Sequence, residues 1–187
     1  MVVAPIISPY ISLMEAFLDL IASSAADSEV FAWLQEHTAG TDPLGQTLLH
    51  HLLKSQRPGL LADYLSATPD LDQAFQAKDC WGNAPAHYLK DSHSALLVAK
   101  HVPNAYKVLN SCKETPLHRI HGHTKWTDFG ELLIVLNPDL DTADSQGQSI
   151  KSILLGKWWQ VTMAYWEDAI AGNRDGFVAF RQYALQK

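Results

Sequence analysis

The chain has 187 residues, 47% apolar and 18% charged, a make-up that fits a folded globular protein and excludes disorder. With 14 basic against 20 acidic residues the formal net charge is −6; this argues against a nucleic-acid backbone as the main partner and favours a protein with a basic surface. Two cysteines, Cys80 and Cys112, lack metal-type C-x-x-C spacing and are too few for a secreted disulfide scaffold, so a reduced, cytoplasmic setting is expected.

The opening stretch MVVAPIISPYISLMEAFLDLIASS is apolar, but no Lys or Arg precedes it, Pro5 and Pro9 interrupt it, and Glu15 and Asp19 lie inside it. It makes a poor signal peptide and is too broken to span a membrane. Ser8-Pro9 instead reads as the start of an amphipathic helix running to about Ile21. Asp27 or Ser28 is placed to cap a second helix, EVFAWLQEH, before Gly40.

Four similar segments follow: DPLGQTLLHHLL from Asp42, DCWGNAPAHYLK from Asp79, NSCKETPLHRIH from Asn110 and DSQGQSIKSILL from Asp144. Each opens with Asp or Asn, which hydrogen-bonds the backbone two residues on, and three carry glycine three residues later, at Gly45, Gly82 and Gly147. The third has Lys113 there, which predicts a distorted turn or a costly left-handed residue. Thr47, Thr115 and Ser149 stand where a helix N-cap belongs, and Pro85 and Pro116 at the first helical position. Apolar residues then recur at helical spacing, and a second apolar helix is predicted in each unit, over Leu60–Leu65, Ala95–Val102 and Phe129–Leu136. Two further helices are predicted beyond residue 156, with Trp158, Trp159, Tyr165, Trp166, Phe177 and Phe180 supplying a closing core.

These four units resemble the ankyrin repeat, a turn plus two antiparallel helices with the consensus D-x-x-G-x-T-P-L-H. ETPLH is a near-literal match; AKDCWGNAPAH has Ala84 for Thr and Ala86 for Leu; the first unit has Leu48 for Pro; the last has Lys151 and Ser152 for Leu and His. The resemblance covers about residues 41 to 170 and implies an all-α, ankyrin-type solenoid of stacked helix-turn-helix repeats. Its expected parts are N-terminal capping helices over 1–40, repeats over 41–156, the last of them degenerate, and C-terminal helices completing the stack over 157–187. A solenoid needs such end units.

The cluster KETPLHRIHGH also suggests a metal-dependent hydrolase using His118, His121 and His123. His123 lies five residues from His118, about 140° around a helix, so three ligands from one continuous helix do not converge. No H-E-x-x-H, G-x-S-x-G or phosphate-cradling glycine loop is present. The resemblance implies a different role: His50, His87 and His118 occupy one recurring position and tie successive repeats together through backbone hydrogen bonds. No metal or cofactor is expected, and no catalytic residue. A Cys80–Cys112 disulfide is not expected either, because neighbouring helices stack roughly 8–10 Å apart and a bridge needs Cα atoms within about 7 Å.

A non-enzymatic protein acting by binding another protein is the resulting expectation, with a stand-alone inhibitor or neutralising, immunity-type partner ahead of a secreted effector or adaptor that engages a host protein. Recognition is expected along the turn tips (Leu44, Gln46, Cys80, Trp81, Asn83, Ser111, Lys113, Ser145, Gln146) and the exposed face of the first helices (His51, Lys54, Tyr88, Lys90, Asp91, Arg119, His123). The residues chosen for the partner are Trp81, Asn83, Tyr88, Lys90, Asp91, Lys113, Arg119 and His123, with Trp81 as the anchor because tryptophan is enriched in binding hot spots.

Overall fold

A computed structural model describes residues 9–23, 25–37 and 40–156. They form nine α-helices and two 3-10 turns; among them no strand occurs, only an isolated bridge between Ala143 and Ser149. The helices expected over 157–187 lie outside the described residues. Among the described residues no helix is long and apolar enough to cross a membrane.

The N-terminal pair is α1 (Pro9–Ala22) and α2 (Asp27–Glu36). The residue before α2 is Ala26, so Asp27 is the first helical residue rather than the cap. Its carboxylate instead takes the Arg57 Nε–H at 2.7 Å, while Arg57 Nη2 donates to the Ala25 carbonyl at 2.6 Å. One arginine thereby ties the end pair to the first repeated unit.

From there each of the first three units is a turn, a short helical element and a longer helix. The first has α3 (Leu48–Lys54) and α4 (Pro58–Ala67), followed by the one-turn α5 (Leu71–Ala74). In the second, the expected helix of APAHYLK is a single 3-10 turn, Pro85–Tyr88, before α6 (Ser92–His101). The spacing explains both. The 37 residues from Asp42 to Asp79 leave room for α5, whereas the 31 from Asp79 to Asn110 leave only Leu89 and Lys90 before Asp91 must cap α6. Asp91 does so by accepting the Ser94 N–H at 2.7 Å. A second 3-10 turn, Pro103–Lys107, leads to α7 (Pro116–Ile120) and α8 (Trp126–Leu136), and α9 (Ile150–Gly156) opens the fourth unit.

The packing is in two rows. One row runs α1, α3, the Pro85–Tyr88 turn and α7, and the other α2, α4, α6 and α8. Between the rows runs one core in which Phe17, Phe75, Phe129, Leu52, Leu53, Leu60, Leu117, Ile120 and Leu132 are fully buried. Each such side chain contributes about 2 kcal/mol on leaving water. Tyr106 is buried with its hydroxyl donating to the Ala95 carbonyl at 2.8 Å, and burial holds its pKa well above the usual tyrosine value.

Candidate functional site

The four turns are built alike. The N–H of Asp42, Asp79, Asn110 and Asp144 donates to the carbonyl four residues on, and the N–H of Gly45, Gly82, Lys113 and Gly147 donates back to the first carbonyl. One side-chain oxygen of each opening residue accepts two backbone N–H groups, two and four residues ahead. The glycines sit at φ +77°, +74° and +79°, and Lys113 takes the same left-handed conformation at +59°.

Two sets of bonds join each turn to the next. At the tips, Cys80 N–H donates to Leu44 O (2.8 Å), Ser111 N–H to Trp81 O (3.2 Å) and Ser145 N–H to Cys112 O (2.8 Å). Beneath them lie the three recurring histidines. The backbone N–H of Thr47, Ala84 and Thr115 donates to Nδ1 of His50, His87 and His118 at 3.0, 3.1 and 3.1 Å. A nitrogen that accepts an N–H carries no proton, so each ring holds its proton on Nε2. That Nε2–H donates across to the next turn, to Asn83 O (3.1 Å), Glu114 O (3.0 Å) and Gln148 O (3.1 Å). Burial pushes the pKa of His50 and His87 below the usual histidine value, with their carbonyl partners opposing.

His118 therefore has neither nitrogen available to a metal. His121, at the end of α7, sits near the Phe129 ring, with centroids 6.3 Å apart, and His123 is exposed beyond the helix. Among the described residues no group of three or more His, Cys, Asp or Glu side chains gathers in a way that could hold a metal ion. Cys80 and Cys112 are free thiols on exposed tips.

Beside the turns, the short elements carry a connected polar cluster. Gln46, expected at an exposed tip, is buried: its Nε2 donates to Asp79 (3.2 Å) and to the Tyr88 oxygen (3.0 Å), and its Oε1 accepts from Lys54. Tyr88 donates to Asp79 and accepts from Asn83 Nδ2 at 3.3 Å. Burial, reinforced by the Asp79 carboxylate, pushes the phenol up to about 12. Burial also works against ionisation of Asp79, yet the hydrogen bonds from Tyr88, Asn83, Gln46 and Trp81 outweigh it and hold the carboxyl below its usual value. Asn83, chosen as a tip residue for a partner, is only 4% exposed; its Oδ1 accepts from Asn110 Nδ2 (2.9 Å) and Arg119 Nη1 (3.2 Å). Its position next to the turn glycine puts it under the neighbouring turn rather than in solvent.

The residues chosen from the sequence thus divide. Trp81, Lys90, Lys113, Arg119 and His123 are exposed, Tyr88 is half-buried, Asn83 is internal and Asp91 serves α6. Tyr88 and Arg119 meet around Asn83, and the Lys54 ammonium lies 4.1 Å above the Tyr88 ring centre. His123 joins none of these bonds. Trp81 is 50% exposed and Leu44, at the equivalent position of the preceding tip, is 43% exposed. Gln46 and Asp79 form the hub that the sequence reading missed; the signal was Asp79's place in the turn series, which requires an engaged carboxylate.

No family model matches the sequence, and no curated protein does.

Proposed function

We propose that the chain is an ankyrin-type solenoid that acts by binding another protein, without catalysis, along its turn tips and the adjoining face of the short helices. The observation that carries this reading is the paired exposure of Leu44 and Trp81 on consecutive tips, held by a backbone bond and backed by a fixed polar cluster. Large apolar side chains presented by a rigid scaffold are the make-up of an interface core. The chemistry of the histidines supports a binding role over an enzymatic one, since His50, His87 and His118 spend both ring nitrogens on backbone groups. Inhibition or neutralisation of the partner in the cytoplasm is the expected form of that binding.

The test is to identify the partner by affinity capture from the native cell with mass spectrometry, then titrate the purified partner against wild type and a Trp81→Ala, Arg119→Ala variant. Affinity should fall by at least about 30-fold, roughly 2 kcal/mol, with the melting temperature unchanged. Unchanged affinity moves the interface away from this face.

A further inference from the structure

The net charge of −6 misrepresents the face that carries Trp81. Its turn carboxylates are already spent: Asp42 on the Leu44 and Gln46 N–H groups and on His51, Asp79 on four donors, Asp144 on two backbone N–H groups. Of the cations beside them, Lys54 donates to Gln46 and Arg119 to Asn83, but two are not engaged. Lys90 and Lys113 are exposed and have no ion-pair partner among the described residues, and Arg119 reaches Glu114 only at 3.9 Å. Burial leads in lowering the pKa of Lys54 and the like charge of Lys90 adds to it, while the Asp42 and Asp79 carboxylates oppose. Among the described residues, exposed acids stand in the other row, at Glu29 and Glu36 on α2, Asp63 on α4 and Glu131 on α8.

Lys113 adds a separate observation. It occupies a left-handed position that the other three turns give to glycine, at a cost of about 1 kcal/mol. Strain of this kind is retained where the side chain is needed, and here it places a cation on the tip next to Trp81, whose carbonyl is bonded by Ser111.

We infer that the partner meets this face through an acidic protein segment bearing an apolar side chain, the acids facing Lys54, Lys90, Lys113 and Arg119 and the apolar group meeting Trp81 and Leu44. This reverses the expectation of a basic partner drawn from net charge, and it rests on the binding reading above. A nucleic acid would face the same cations and stack on Trp81, but the whole-molecule charge repels a long polyanion, and Leu44 offers an aliphatic contact that a base does not need.

The test uses three labelled probes of similar length, about a dozen units each: a peptide with leucine flanked by Asp and Glu, the same peptide with Lys in their place, and a single-stranded oligonucleotide. Fluorescence anisotropy with the full chain should show the acidic peptide binding about tenfold tighter than either, with the difference shrinking between about 50 and 300 mM salt. Lys90→Glu with Lys113→Glu should weaken it about tenfold, whereas Lys100→Glu with Lys107→Glu, in and just after α6, should leave it within about twofold. Circular dichroism melting establishes that each variant is folded. Equal or tighter binding of the basic peptide or the oligonucleotide, or equal loss in both variant pairs, overturns the inference. If the native partner still depends on Trp81 while these charge reversals leave it unaffected, the binding reading stands and this one falls.

Discussion

The third and fourth units differ at one position that separates two jobs of the same residue. In the third, His118 accepts the Thr115 N–H and donates across to Gln148 of the next turn. In the fourth, Ser152 holds the equivalent place; its Oγ accepts the Ser149 N–H at 2.9 Å and donates to the Ser149 carbonyl at 2.7 Å. Serine can therefore replace the local half of the histidine's work, which any short acceptor performs at a helix start. The other half, a bond from the start of one helix to a carbonyl of the next turn, takes the reach of the imidazole ring. The lesson is that helix starting and unit stacking are chemically separable here, and the histidine is kept for stacking.

The sharpest way to break this contrast is to remove each residue. His87→Ala should cost about 3 kcal/mol, since it strands the Ala84 N–H and the Glu114 carbonyl and leaves a void, while Ser152→Ala should cost about 1 kcal/mol. Urea unfolding measures both, and equal losses would mean that the inter-unit bond contributes nothing. Acid should separate the first two units from the fourth next, because their buried rings titrate and the fourth has none. His50 faces Asp79, Lys54 and His51; His51 faces Lys54 and Asp42; His87 faces Arg119 and Glu114; in all three, burial leads in lowering the pKa. Their neutral forms favour the fold, so the unfolded chain binds protons first as pH drops below 6.5. The stability they supply is present above that value and declines as pH falls through the histidine range. Asp79, whose pKa is also lowered, acts in a separate window below 3.8. A urea midpoint that stays flat across the histidine range would refute the assignment.

The smallest effect concerns the turns themselves. Gly82 and Gly147 share the same left-handed φ, but a Cβ on Gly82 would lie 2.6 Å from Ser111 Oγ and 2.8 Å from Ser111 N, whereas one on Gly147 meets nothing within 4 Å. Gly82→Ala should thus lose about 2 kcal/mol and Gly147→Ala about 1. The difference, read by thermal denaturation, reports tip-to-tip contact alone.

Much of this was legible in the chain because the turn and cap residues act locally. Asp42, Gly45, Thr47 and Pro116 do what their own chemistry dictates within four residues, and the helical character of the segments followed from apolar spacing. The abbreviated helix at Pro85–Tyr88 was not legible, since it depends on how few residues separate two turns rather than on the helix-forming tendency of its own residues. The face was the least legible part. Asn83 and Gln46 look like exposed tip residues in sequence, and only the neighbouring turn, about one period away, buries them. Charge misled for a related reason: composition counts a carboxylate whether or not four donors already surround it.

The tip-to-tip bonds all run in one direction, with the later turn donating from its second residue to the earlier turn's third. In the first turn that second residue is Pro43, which has no N–H to give. At the other end the corresponding acceptor, the Gln146 carbonyl, receives no donor among the described residues. Among the described residues the ladder therefore has a polarity, closed at its start by an imino acid and ending on an acceptor. Proline at the lip blocks sheet-like extension by another chain in the same way that it guards an edge strand. Any turn added to this row in register, whether by gene duplication or by a neighbouring molecule, has to follow Gln146 and bring an amide hydrogen with it.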